Sequence, residues 1–398
     1  MTNPAPATTP FQRLISLDIL RGVTIAFMIM VNNNGGPAAW AQMHHAEWNG
    51  LTATDLVFPT FLFVVGASIV FAFHARLAKG ATRAQLAWHT AKRAVILFLF
   101  GIVVNSFPYF HLVHMRFYGV LQRIAICYLV IGLFYLWDQR VWTKIAALAV
   151  VLLGYWALVQ CVPVPGAGMP GRDVHFLDKD QNIVAWVDRQ LMPGHLYEDG
   201  ITHNLRDPEG LLSDIPAFGT TLLGLLAGLW LRSSRTLKTK AAGLAFGAAA
   251  CLASGYFWSI WFPLNKKMWT SSYVLAAAGW SLAVFALAFW AVEIKGWGKG
   301  KGHSKGEVFS RGLVWPWIVF GSNAIAAYMF SELLPGVVDL APFTSHGYKT
   351  NALAWARLHL IGRIPDPGWA SFAYSVSYMA VCFIPVWILY RKKIFLKV

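Results

Sequence analysis

Between Asn32 and Asp55 the chain reads NNNGGPAAWAQMHHAEWNGLTATD, a short polar loop caught between two strongly apolar segments. It concentrates the residue types that move protons near neutral pH. His44 and His45 lie within it, Asn32, Asn33 and Asn34 stand at one end, and Asp55 stands at the other. A neutral imidazole can take a proton from an amine or hydroxyl nucleophile. Asn amides can donate hydrogen bonds to a developing oxyanion. This constellation suits acyl transfer. Asp55 has two readings, an acidic residue that suits a helix N-terminus or the group that orients a loop histidine.

The elements that position this loop are membrane helices. Hydrophobic residues make up 57% of the chain and charged residues 13%, too few for the surface of a water-soluble domain. Apolar runs near 15–34, 54–75, 92–109, 117–137, 142–162, 212–232, 241–262, 270–293, 314–335 and 369–390 are each long enough to cross a bilayer. The expected fold is an all-α, polytopic bundle of about ten transmembrane helices. The first run is not a cleavable signal, because Asp18 and Arg21 interrupt it. Residues 1–12 read as a disordered cytoplasmic leader. Residues 13–398 read as a single transmembrane domain with an external insert at about 163–212, too polar to span the bilayer and too short for its own core.

The formal charge of +15 does not point to nucleic acid, because the basic residues collect on alternate loops. That side is cytoplasmic by the positive-inside rule, which puts both termini inside and the His loop outside. Lys266 and Lys267 break the rule, so they need an anionic ligand or the acidic insert as partner. The basic, glycine-rich KGWGKGKGHSKG matches no nucleotide-binding motif.

Several ionisable or polar groups fall inside the apolar runs, where they are functional candidates by default. Asp18 and Arg21 are three residues apart, on one helix face, with Gly22 beside them. Gln122 and Arg123 follow Arg116 in the fourth run, and Arg123 is expected to pair with an anionic ligand or with Asp18, Asp214 or Glu332. Asn323 and Glu332 are candidate cavity-lining groups. Asp207 and Glu209 read as a turn entering a helix or as catalytic or sugar-binding groups. The GxxxG spacings Gly224–Gly228 and Gly243–Gly247 read as close helix packing.

Most of the twelve histidines fall on the external side, including His111 and His114, but no metal-ligand signature accompanies them. Cys127, Cys161, Cys251 and Cys382 are scattered singly and read as small core residues.

The stretch HAEWNGLTATDLVFP, preceded by SLDILRG and followed by FYGVLQRI, DPEG, LNKKMWTSSYV and FGSNAIAAY, resembles the heparan-alpha-glucosaminide N-acetyltransferase family. The motifs keep the family's order over nearly the whole chain, and the chain is similar to the shorter bacterial form. The resemblance implies an acyltransferase of the bacterial inner membrane, multi-pass in the lipid bilayer. It would move acetyl from cytoplasmic acetyl-CoA to the amine of glucosamine or a terminal glucosaminide on the periplasmic side. By the HAEW match the catalytic histidine falls on His45. By the MVN match the active-site asparagine falls on Asn32, with Asn33 a competing placement.

Asp55 or Glu209 would orient the imidazole or the sugar, and Asn33, Trp48, Asn49, Glu209 and Lys266 form the expected acceptor-binding set. Arg21 and Arg123 are candidates by charge for the phosphates of acetyl-CoA, with Asp18 and Asn323 grouped beside them. No metal and no nucleic acid are expected, and a homodimer suits such a bundle. The rival readings are an amino-sugar or small-solute transporter and an envelope-polysaccharide O-acyltransferase.

Overall fold

The computed structural model describes residues 14–111, 113, 115–197, 203–298 and 305–396. The leader 1–12, His114 and residues 299–304 of the glycine-rich loop lie outside the described residues. The described chain is almost entirely helical. In order come α1 (Ile15–Asn32), a 3-10 turn (Thr54–Leu56) running into α2 (Val57–Leu77), α3 (Arg83–Ser106), α4 (Val120–Trp137), α5 (Val141–Cys161) and a short α6 (Ile183–Leu191). There follow α7 (Asp214–Arg232), α8 (Leu237–Trp258), α9 (Ser271–Phe289), α10 (Lys305–Ser322), α11 (Ala324–Asp339), α12 (Ala352–Ala356) and α13 (Pro367–Arg391). A two-stranded hairpin, Phe343–Ser345 with Tyr348–Thr350, precedes α12.

Among the described residues nine helices are long and apolar enough to cross a membrane, or ten spans if the bent pair α10 and α11 counts as one. The chain is a multi-pass membrane protein. Burial divides the spans into an inner and an outer set. Those of α1, α2 and α7 are 67% buried, whereas those of α3, α5, α8 and α13 are at most 22% buried. The outer set turns apolar side chains such as Leu99, Leu153, Phe246 and Ile384 outward, as helices facing lipid do.

The inner helices touch through glycine. A Cβ on Gly66 of α2 would stand 1.9 Å from the Thr221 carbonyl oxygen of α7, and one on Gly224 of α7 would stand 1.9 Å from that of Phe63. Gly228 continues this seam along Ala67, so Gly224–Gly228 is a close-packing face. Gly243 meets the Trp230 ring, but Gly247 lies only loosely against Leu282. Gly22 of α1 packs on the Trp317 carbonyl of α10 in the same way as the first seam.

The ninth apolar run is not one straight helix. It breaks at Asn323, where α10 and α11 meet at 78°. The backbone and side-chain groups at the break find new partners, as an apolar setting requires. Arg21 Nη1 donates to the Gly321 carbonyl, while Asn323 donates to the Ile394 carbonyl and accepts from the Leu396 amide. Asn323 therefore ties down the C-terminal segment, which corrects its reading as a cavity-lining, cofactor-binding group.

The cysteines also divide. Cys127 and Cys382 are buried core residues, but Cys161 is exposed and Cys251 only partly covered.

The insert folds over the end of the bundle. Leu177, Ile183 and Val184 pack against Tyr155 and Val159 of α5 and against Phe262 and Met268. It borrows apolar partners from the helices beneath it, as its size requires.

Candidate active site

The His loop is held from three directions. Trp40 stacks on Phe372 and meets Trp369 edge-on, with ring centroids 5.3 Å and 4.8 Å away, which pins the loop to α13. Within the loop, Thr52 Oγ1 donates to the His44 carbonyl (2.7 Å) and Thr54 Oγ1 to the Gln42 carbonyl (2.9 Å). On the third side, the Gly50 amide donates to the Leu264 carbonyl (2.8 Å) and Asn265 Nδ2 to Asn49 Oδ1 (3.0 Å). That last clamp brings the turn carrying Lys266 against His45. Asn49 is thereby a tie between loops, and it is not among the residues lining the His45 cavity.

His45 Nδ1 lies 2.7 Å from Asp55 Oδ1. The other oxygen, Oδ2, accepts from the Ala46 amide (3.1 Å) and the Thr52 amide (3.0 Å). A carboxylate so supplied with donors stays ionised and only accepts. The proton on the ring is therefore on Nδ1, and Nε2 keeps its lone pair. Asp55 heads α2 and is 1% exposed, so it is both a helix-entry residue and the group that orients the histidine.

His45 forms part of a cavity of about 240 Å³ walled by Trp48, Glu209, Lys266 and the insert residues Asp188 and Tyr197. Burial, then the charge of Lys266, lowers the His45 pKa from its ordinary value, against the raising pull of Asp55. The ring still keeps 44% of its side-chain surface accessible, so the cavity reaches it. Lys266 Nζ stands 3.2 Å from Nε2 and 3.3 Å from Nδ1. A donor on the in-plane axis of Nε2 would lie much farther from Nδ1, and an in-plane approach past Cε1 would clash. The lysine therefore sits over the ring face and leaves the Nε2 lone pair open.

The opposite wall is a charged cluster. Arg116 donates to both Asp207 oxygens, at 2.8 Å to Oδ2, and to Glu209 Oε2 at 2.6 Å. Burial alone would raise the Glu209 pKa, but Arg116, then Lys266 and Arg123, hold it well below the ordinary carboxylate range. Asp188 behaves oppositely: burial, followed by repulsion from Asp207, pushes it up to about 7. Tyr197 lies under the Arg116 guanidinium at 4.6 Å, and Trp48 Nε1 donates to the Leu177 carbonyl at 2.8 Å. The sequence alone does not single out Arg116, Tyr197 or Asp188 as binding groups. The excess of ionisable residues in the insert is the one signal it carries for Tyr197 and Asp188, and Arg116 shows only as a cation at the edge of an apolar run.

A larger cavity, about 650 Å³, runs through the bundle between α1, α2, α4 and α11. At one end are Asp18, Arg21, Lys79 and Arg93, and at the other Phe61, Leu121 and Tyr328. Along α2 it extends from Phe61 to Ala75, roughly 21 Å of helix rise. Phe61 lies only roughly 9 Å of rise beyond Asp55. Arg21 donates to Asp18 Oδ1 (3.1 Å) and Ser68 Oγ (2.8 Å), so Asp18 and Arg21 do share a cavity wall.

The remaining expected residues are elsewhere. Arg123 is fully buried, donating to Asp214 Oδ1 (2.8 Å), to the Gly210 carbonyl (3.0 Å) and to Ser213. It lines neither cavity and forms the structural pair with Asp214 that stood as the alternative to an anionic ligand. Asn33 donates to the Ile29 carbonyl (3.2 Å), closing α1. Asn32 is exposed at the end of α1 and donates to Glu332 Oε1 at 2.9 Å. It is not among the residues walling the His45 cavity.

Fold and site together define a multi-pass membrane protein with an Asp-held histidine lining one cavity and a second cavity within the bundle. Residues 13–255 match the family model described as heparan-alpha-glucosaminide N-acetyltransferase, catalytic, and the chain belongs to that family. It is 27% identical to heparan-alpha-glucosaminide N-acetyltransferase of Homo sapiens, over 97% of this chain and 60% of that protein. It is 26% identical to the protein of the same name from Mus musculus, over 99% of this chain and 62% of that protein. The chain thus spans less than two thirds of the length of these curated relatives.

Proposed function

We propose that the protein is a transmembrane N-acetyltransferase that takes acetyl from acetyl-CoA and gives it to the amine of a glucosamine or terminal glucosaminide. The observation that carries this reading is the His45–Asp55 pair, with its open Nε2 facing one cavity and its carboxylate heading the helix that lines the other. The bias of basic residues toward alternate loops supports a cytoplasmic position for Arg21, Lys79 and Arg93 and a periplasmic one for His45 in a bacterial inner membrane.

The larger cavity suits the donor. Arg21, Lys79 and Arg93 offer cations to phosphates, and Phe61 and Leu121 offer apolar walls to a thin chain. When bound, acetyl-CoA would supply the acetyl group as a thioester. In the outer cavity Trp48 and Tyr197 offer flat faces to a sugar ring, while Glu209 and Lys266 offer polar contacts. His45 Nε2 takes the proton from the attacking amine, and Asp55 holds Nδ1–H and stabilises the imidazolium that forms. Asn32, fixed by Glu332 through one amide N–H, lines neither cavity, and its assignment beside the donor rests on the family resemblance.

Purified protein in detergent, where no compartments exist, should acetylate glucosamine from acetyl-CoA, and His45→Ala should lower the rate on the order of 100-fold or more. Wild-type turnover by His45→Ala would contradict the assignment. Sugar uptake into vesicles without acetyl-CoA, with no transfer in detergent, would favour a transporter.

A further inference from the structure

The cavity holds an amine of its own. Lys266 Nζ stands 3.2 Å from His45 Nε2, over the face of the ring. The neighbouring lysines differ. Lys267, which lines the same cavity, donates to the Glu47 carbonyl at 2.8 Å, and Lys179 to the Glu47 carboxylate at 2.8 Å. Among the described residues, Lys266 forms no ion pair within 4 Å with a carboxylate, although Glu209 and Asp55 lie in electrostatic range.

We propose that Lys266 is a self-acetylation site: with no sugar amine in the cavity, it takes the acceptor's place and attacks the acetyl thioester with His45 as base. The inference rests on the acetyltransferase reading above and names a second acceptor for that site. Its geometry follows from how amines meet carbonyls. The nucleophile approaches from above the carbonyl plane, and an acetyl group brought edge-on to Nε2 presents that face toward the side where Nζ sits.

Atoms balance without a further reactant. The bond from Nζ to the acetyl carbon forms and the carbon–sulfur bond of the thioester breaks. As the bond to the acetyl carbon forms, Nζ moves off the ring face and brings its N–H to the in-plane Nε2 lone pair; the proton passes from there to the departing sulfur, giving acetyl-lysine and free thiol. Burial, opposed by Glu209 and Asp55 but aided by the charges of Lys267 and Arg123, lowers the Lys266 pKa and raises its share of free amine. Acetylation replaces a cation beside His45 by a neutral amide in the acceptor's own cavity. Enzyme left with donor alone would thereby lose acceptor binding, and a bound acceptor would protect it.

The experiment is peptide mass mapping of the full-length wild-type protein in detergent after incubation with acetyl-CoA, with and without saturating glucosamine. The expected result is one acetyl group on Lys266, suppressed at least tenfold by glucosamine and absent in His45→Ala. Lys266→Arg, checked for the wild-type elution volume by size exclusion, should gain none. The proposal is overturned if the same preparation acetylates glucosamine while Lys266 stays unmodified. It is also overturned if Lys179 and Lys267 are modified equally, or if His45→Ala is labelled as fast as wild type, since both are chemical acetylation by solution thioester. Absence of both sugar and lysine products would instead bring down the acetyltransferase reading itself.

Discussion

Among single residues, the proposed catalysis turns on one proton. Asp55 fixes the tautomer of His45, so replacing it by Asn removes the obligate acceptor and lets the ring adopt the wrong proton arrangement. Asp55→Asn should lower kcat on the order of 100-fold or more while leaving KM for acetyl-CoA little changed. The pH profile adds a sign. The base works only when neutral, and the lowered His45 pKa keeps it neutral below the ordinary value, so the acid limb of the rate profile should fall below the usual histidine range. Because Asp55 opposes that lowering, Asp55→Asn should move the acid limb further down in pH. An upward shift, or an unchanged kcat, would contradict this.

The His45–Asp55 pair is legible in the sequence because both partners sit ten positions apart in one polar loop. Lys266 is legible as a cation on the wrong side of the membrane and as a member of the expected acceptor-binding set. Its neighbour is not, since the Asn49–Asn265 clamp that brings it to His45 joins distant segments. Arg123 misleads for the same reason: its charge is visible in the sequence, but Asp214, which absorbs it, comes from another helix.

Among the elements, the inner helices are held at a spacing only glycine permits. Gly224→Leu would drive a side chain into the Phe63 carbonyl and separate α7 from α2, whose head carries Asp55. It should destabilise the protein by about 3 kcal/mol and depress activity with it. Gly154 on α5, where an added Cβ would meet nothing within 4 Å, provides the contrast. Gly154→Ala should be neutral or stabilising by up to about 1 kcal/mol. Thermal unfolding in detergent compares the two, and equal melting temperatures would contradict the packing described. The GxxxG spacing announces the first seam, and hydropathy announces ten apolar runs. The 78° break at Asn323 stays hidden, because nothing local shows that its side chain is claimed by Ile394 and Leu396.

In the molecule as a whole, α2 connects two cavities of different character. Its head presents Asp55 to the histidine, and its tail runs to the cations around Lys79. Tyr328, at one end of the larger cavity, lies within electrostatic range of Glu209 in the outer one, and Glu209 within that of His45. Composition and charge bias can set the His loop opposite the basic loops, but only packed helices reveal the cavity along α2 through which we route the donor.

The most direct test of that route is a structure of the protein with acetyl-CoA bound. The nucleotide phosphates should lie beside Arg21, Lys79 and Arg93, with the thioester beyond Phe61, next to His45 Nε2. A nucleotide seated in the outer cavity beside Lys266, or a thioester ending remote from His45, would contradict a donor route through the bundle.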